Sequence, residues 1–160
     1  MYQSLDQFPK NWIFKRQDPK VMPEDLQAIR LLSEERAAQI WRDYVSDGQV
    51  HPDHFTANDW LNKDAAKVTD GKLQWEKVWD SEQSALPDAV LEHFASWGED
   101  TTVFFCCHSD VVFELPWGVF QRCWKAFLFL DNGPVLVGKK KKHAAQFHSN
   151  GWMNLLLRVV

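Results

Sequence analysis

The chain of 160 residues carries 18 basic and 22 acidic side chains, a formal net charge of −4, and is 45% apolar and 25% charged. These shares lie far from the low-hydrophobicity, high-charge corner in which chains stay disordered, and at this length one hydrophobic core is expected. Only three cysteines are present, two of them adjacent, which argues against a secreted disulfide framework and for a reducing cytosol.

The first residues, "MYQSLDQFPKNW", contain no basic stretch followed by an apolar run, and no apolar segment approaches the roughly 20 residues of a membrane helix. Neither export nor membrane insertion is indicated. Residues 1–100 hold 19 acidic and 11 basic side chains, and residues 101–160 hold 3 and 7. Attraction between the halves accounts for this asymmetry without a partner.

In chain order, the island "NWIF" (Trp12, Ile13, Phe14) reads as a short strand or a segment folded over the core. "PEDLQAIRLL" reads as a helix, with Pro23 in the first turn and Glu24 and Asp25 at its positive end. Ser33 can cap a second helix over residues 33–46, in which Ala37, Ile40, Trp41, Tyr44 and Val45 share a face. Residues 49–84, punctuated by Pro52, Asn58, Asp70 and Gly71, read as short helical turns and loops. "LPDAVLEHFASWGED" reads as a helix begun at Pro87 and stopped at Gly98.

After Gly98 the period changes. Strands are expected at 102–107 and 111–114, then a helix from Pro116 with Trp117, Phe120, Trp124 and Phe127 on one face. "PVLVG", "HAAQF" and "WMNLLLRV" read as an antiparallel meander with a turn at Asn150-Gly151. No repeat or linker divides the chain. The expected fold is α+β, one domain over 1–160, with N-terminal helices on one face of a small, mainly antiparallel C-terminal sheet and one helix inserted between its strands.

Three clusters carry chemistry. In "TVFFCCHSD", strand alternation puts Cys106, His108 and Asp110 on one side and Phe105 and Cys107 on the other, which predicts a buried Cys107. Neighbours on one side stand about 6.6 Å apart, long for a thiol–imidazole hydrogen bond, and nothing in the sequence lowers the thiol pKa. A catalytic Cys106–His108 pair is therefore the lesser reading beside a strand end and turn. In "HPDHF", His51 and His54 could share a metal, with His143 or His148 supplied by folding, but histidines in a proline-bounded loop are more often solvated or capping. In "GKKKKHAAQF", Lys139, Lys140, Lys141 and Lys142 concentrate charge at a hairpin, which protects a sheet edge or attracts an acidic protein sooner than nucleic acid.

Nine tryptophans are unusual for this length. Trp60, Trp75, Trp79 and Trp152 lie where periodicity does not force burial, which makes Trp60, Trp75 and Trp79 candidate interface anchors. There is no phosphate-binding glycine loop, G-x-S-x-G, H-E-x-x-H or C-x-x-C. No cofactor is expected.

The helix "W-x-x-F-x-x-x-W-x-x-F-L-F", the Asp131, Gly133 and Pro134 that follow it, the hairpin ending in Gln146, Phe147 and Gly151, and the preceding "FFCC" strand resemble a family of small bacterial proteins of unknown function. The resemblance implies a bacterial cytosolic protein and supplies no catalytic residues. A looser architectural similarity is to small immunity proteins that neutralise toxins by binding them. The expectation is a cytosolic, non-enzymatic protein-binding or adaptor protein without nucleic-acid or membrane partners. The alternative is a small thiol- or metal-dependent enzyme using Cys106 and His108.

Overall fold

A computed structural model describes residues 1–68, 73–130 and 132–158. Asp70, Gly71 and Asp131, singled out from the sequence, lie outside the described residues. The elements are β1 (Tyr2–Gln3), α1 (Pro23–Ala28), β2 (Arg30–Leu32), α2 (Glu34–Tyr44), β3 (Leu73–Gln74), α3 (Glu76–Trp79), α4 (Asp88–His93), β4 (Thr102–His108), β5 (Val111–Pro116), α5 (Trp117–Phe127), β6 (Val135–Gly138), β7 (His143–Phe147) and β8 (Trp152–Leu157). Single 3-10 turns lie between them at Leu5–Gln7, Asn11–Phe14, Pro52–His54, Trp60–Asn62 and Asp64–Ala66.

All named strands join one antiparallel sheet in the order β1-β2-β5-β4-β6-β7-β8-β3. The α+β class and the antiparallel sheet are as the sequence suggests, and α5 is indeed inserted between β5 and β6. The sheet, however, is not C-terminal alone, because β1, β2 and β3 come from the first half of the chain. The run "RLL" forms strand β2, pairing Leu31 with Phe113, instead of continuing helix α1. Helix α1 ends at Ala28 after six residues, too short to hold against the sheet edge offered by β5.

Helices also cover both faces of the sheet, a departure from the one-sided packing expected. Alternation along β4 sends Val103 and Phe105 to one core and Phe104 and Cys106 to the other. The larger core holds Phe8, Ile13, Phe14, α4 and the apolar side of α5. Here Phe14, Phe113 and Phe127 meet edge to face, an arrangement worth roughly 0.5–1.5 kcal/mol per pair beyond area burial. The smaller core is roofed by α2 through Ala37, Ile40 and Trp41. Ser33 caps that helix as expected, its hydroxyl accepting from the Arg36 amide at 3.2 Å. Segment "NWIF" is a 3-10 turn that buries Ile13 and Phe14.

The tryptophans are mostly ties inside the molecule. Indole N–H groups of Trp41, Trp60, Trp75, Trp79 and Trp124 donate to the carbonyls of Gln49, Tyr44, His148, Lys125 and Ser84. These bonds tie the loop-rich segments 49–68 and 73–84 to the rest of the molecule. Between β7 and β8 the reversal takes three residues, Ser149–Gly151, with Gly151 at φ 89°, and not the two-residue turn anticipated.

Candidate functional sites

The end of β4 departs from simple alternation. Cys106 pairs with Val112, but His108 pairs with Val111, so Cys107 is an extra residue, a β-bulge. The bulge turns both Cys107 and His108 toward one cleft of about 200 Å³. Its apolar walls are Phe8, Pro9, Val111, Leu130 and Pro134, and its polar groups come from His51, Cys107, His108, Lys10 and Asn132.

The two cysteines keep the sides that alternation gives them, Cys107 with Phe105 and Cys106 with Phe104, but His108 leaves the side of Cys106 and the expected burial is reversed. Cys106 is fully buried in the core beneath α2, and Cys107 is the partly exposed member of the pair. Burial raises the Cys106 thiol well above its ordinary pKa and pushes Cys107 up to about 12, despite a small opposing pull from Lys10. Both are held as thiols, the reverse of what a nucleophilic cysteine needs. Cys123, on the buried side of α5, is likewise pushed up to about 12, first by burial and then by the Asp25 carboxylate.

The structure does bring His51 and His108 together from distant positions, their rings stacked with centroids 5.9 Å apart. In each ring Nδ1 accepts an amide proton from two residues on: Asp53 N–H to His51 at 3.1 Å and Asp110 N–H to His108 at 3.3 Å. A neutral ring in that arrangement carries its proton on Nε2. The Asp53 carboxylate also approaches His51 Nδ1, at 3.5 Å. Because that nitrogen is already accepting a proton, the contact is a nearby charge and not a second hydrogen bond. Burial lowers the His108 pKa, with Asp110 opposing and His51 and Lys10 reinforcing the shift. His54 stands 5.9 Å from His51, ring to ring, and points outside the cleft lining. Among the described residues no three His, Cys, Asp or Glu side chains are placed to hold a metal ion, and His143 and His148 are elsewhere: His143 packs on His93, and His148 meets the Asn154 amide.

The lysine hairpin is the second feature. Lys139, Lys140, Lys141 and Lys142 are all exposed, and none is in an ion pair with a described residue. Their backbone, by contrast, is held: Lys139 N–H donates to Thr102 O, Lys140 N–H to the Tyr44 hydroxyl at 2.9 Å, and Arg158 N–H to Lys142 O at 2.7 Å. Lys140 sits at φ 59°, a left-handed conformation that a non-glycine residue holds only with such support. The guanidinium of Arg158 lies over the Tyr44 ring, 5.6 Å from its centre. Arg158 then lines a groove of about 420 Å³ together with Arg42, the carboxylates of Asp47 and Asp59, and Trp60, whose indole donates to Tyr44 O.

Of the three tryptophans nominated as anchors, Trp60 is half-buried at this groove, whereas Trp75 is 3% exposed and cannot be an exposed anchor. Trp79 is half-buried against Phe129 on another side of the molecule. The most exposed indole is Trp12, also packed on Phe129. Lys10, Tyr44 and Arg158 had no motif to mark them as site residues, and Cys107 was expected to be buried. Only the fold brings them to these places.

Over its described residues the chain thus presents an eight-stranded antiparallel sheet covered on both faces, with an imidazole-lined cleft and a separate face that bears the lysine hairpin. It belongs to the family described as "Protein of unknown function (DUF2947)", whose pattern it matches over residues 2–155. No curated protein and no solved structure matches it. No helix among the described residues is long and apolar enough to cross a membrane.

Proposed function

We propose that this protein works by binding, and that its basic face docks an acidic segment of a protein partner. The observation that carries the reading is continuity: Tyr44 joins the lysine hairpin to the Arg42–Arg158 groove, through its hydroxyl on Lys140, its ring under Arg158 and its carbonyl on Trp60. A run of cations with no ion-pair partner among the described residues, on a backbone already ordered, loses little freedom on binding, which favours specific docking over diffuse attraction. The groove adds Trp60 as an aromatic surface beside two guanidinium groups, the residue types that concentrate binding energy at interfaces, while Asp47 and Asp59 in the same lining leave the lysine hairpin as the source of net positive charge. Thiol chemistry at Cys106 is the weaker reading because that sulfur is buried and held protonated. Three free cysteines are in keeping with a cytoplasmic location.

The test is fluorescence anisotropy with a labelled Asp/Glu-rich peptide, and with a labelled oligothymidylate of equal charge for comparison. The reading expects saturable, salt-sensitive binding of the peptide that the double variant Lys139→Glu/Lys141→Glu abolishes. Tighter binding of the oligonucleotide at the same ionic strength, or no peptide binding at all, overturns it.

A further inference from the structure

The cleft at the β4 bulge gathers hydrogen-bond donors from two imidazoles, an ammonium and a side-chain amide. With Nδ1 of both imidazoles occupied as acceptors, His51 and His108 offer Nε2–H groups, for which no partner is found among the described residues. Lys10 adds an exposed ammonium with no described ion-pair partner, and its charge opposes the rise at Cys107 and reinforces the lowering at His108. Asn132 adds a side-chain amide. Among the described residues the carboxylates in this neighbourhood, Asp53 and Asp110, are exposed and stand on the Nδ1 side of the rings, each tied to its own turn through its backbone amide. Between the donors, five apolar side chains form the remaining wall. A volume of about 200 Å³ is below the roughly 300–1,000 Å³ of pockets for drug-sized molecules, so the occupant is small.

We propose that this cleft binds a small organic carboxylate with a flat or branched apolar body, its oxygens held by Lys10 and the Nε2–H groups of His51 and His108. Hydrogen bonds from charged or strongly polar donors to a carboxylate are the strong ones, and Phe8, Val111 and Leu130 shelter them from water on the apolar side. The donor set gives the selectivity: a neutral amide of the same shape keeps the apolar contacts but loses the attraction to the Lys10 ammonium. Nothing in this site depends on the basic face, which is formed by different elements.

Proton NMR of the histidine rings, together with titration calorimetry, tests the proposal using benzoate, phenylacetate and 4-methylpentanoate as probes and benzamide as the neutral control. The expected result is saturable movement of the His51 and His108 signals with at least one carboxylate, leaving His93 and His143 unmoved. Benzamide should bind at least about fivefold more weakly than benzoate, and Lys10→Met should weaken the responding carboxylate about tenfold, the equivalent of one charge-assisted hydrogen bond. Lys10 is exposed, so this variant leaves the core intact, and Lys20→Met, at another exposed position, should bind as the unaltered protein does. Silence of all three carboxylates overturns the proposal. So does equal binding of benzamide, or movement of His93 in place of His51 and His108.

Discussion

Cysteine reactivity offers a quantitative check on the chemistry of the bulge. An unperturbed thiol ionises near pKa 8.5, so at pH 8 roughly a quarter of it is thiolate. Cys107, pushed to about 12, has roughly one part in ten thousand, a deficit of about two-thousandfold. A more basic thiolate is intrinsically more nucleophilic, and with a Brønsted slope of about 0.45 this returns a factor of about 40. The net is a reaction with an aromatic disulfide reagent about fiftyfold slower than that of the unfolded chain. Cys106, with no exposure, and Cys123, at 3%, should be slower again, because the reagent reaches them only through opening of the core. Stopped-flow labelling at pH 8 in buffer and in guanidinium chloride, with the modified peptides identified by mass spectrometry, gives all three rates. A native Cys107 that reacts within about threefold of the unfolded rate, or a Cys106 that reacts first, would refute the reasoning and revive the thiol enzyme.

Three other predictions concern stability. A Cβ on Gly138 would lie 2.7 Å from Cζ2 of the buried Trp97, so Gly138→Ala should cost about 1–3 kcal/mol in chemical denaturation and disturb the lysine hairpin it begins. Asp25, 7% exposed, accepts from Nε and Nη2 of Arg122 at 2.9–3.2 Å and ties α1 to α5; Asp25→Asn should cost about 1–2 kcal/mol, the low end for a buried pair because the Arg122 side chain is half exposed and can turn to water. His93, His108 and His148 have pKa values lowered by burial, so the folded chain binds fewer protons than the unfolded one. Their stabilising contribution is present above the unfolded pKa near 6.5 and is lost as pH falls through the lowered folded values, by up to about 1.4 kcal/mol per pH unit for each. Urea midpoints measured between pH 7.5 and 5 should therefore fall, and a flat profile would contradict the assignment.

Much of this molecule is legible in local pattern. Ser33, Pro23 and the Trp117–Phe127 face announce their helices, and the β-rich runs after Gly98 announce their strands, because period and capping are local properties. The short edge strands are not legible: Tyr2–Gln3 and Leu73–Gln74 are two residues each and extended only because a neighbour offers hydrogen bonds. The bulge shows how little separates a correct strand from a misplaced site. One extra residue at Cys107 moves His108 from the side of Cys106 to that of Cys107, and no feature of "FFCCHSD" marks it; the burial of Cys106 follows instead from α2 covering the face it shares with Phe104. The lysine cluster was visible as charge, but its union with Arg42, Arg158 and Trp60 depends on contacts to Tyr44 from residues 96 and 16 positions away.

The most direct measurement of the central claim is a nuclear magnetic resonance footprint of the acidic peptide on isotopically labelled protein. Docking on the basic face requires amide shifts confined to Lys139–Lys142, Tyr44, Trp60 and Arg158, with the Lys140 amide, held on the Tyr44 hydroxyl, among the most affected. Shifts centred on the imidazole cleft or on Trp12 and Phe129, or shifts scattered over every exposed lysine, would contradict it.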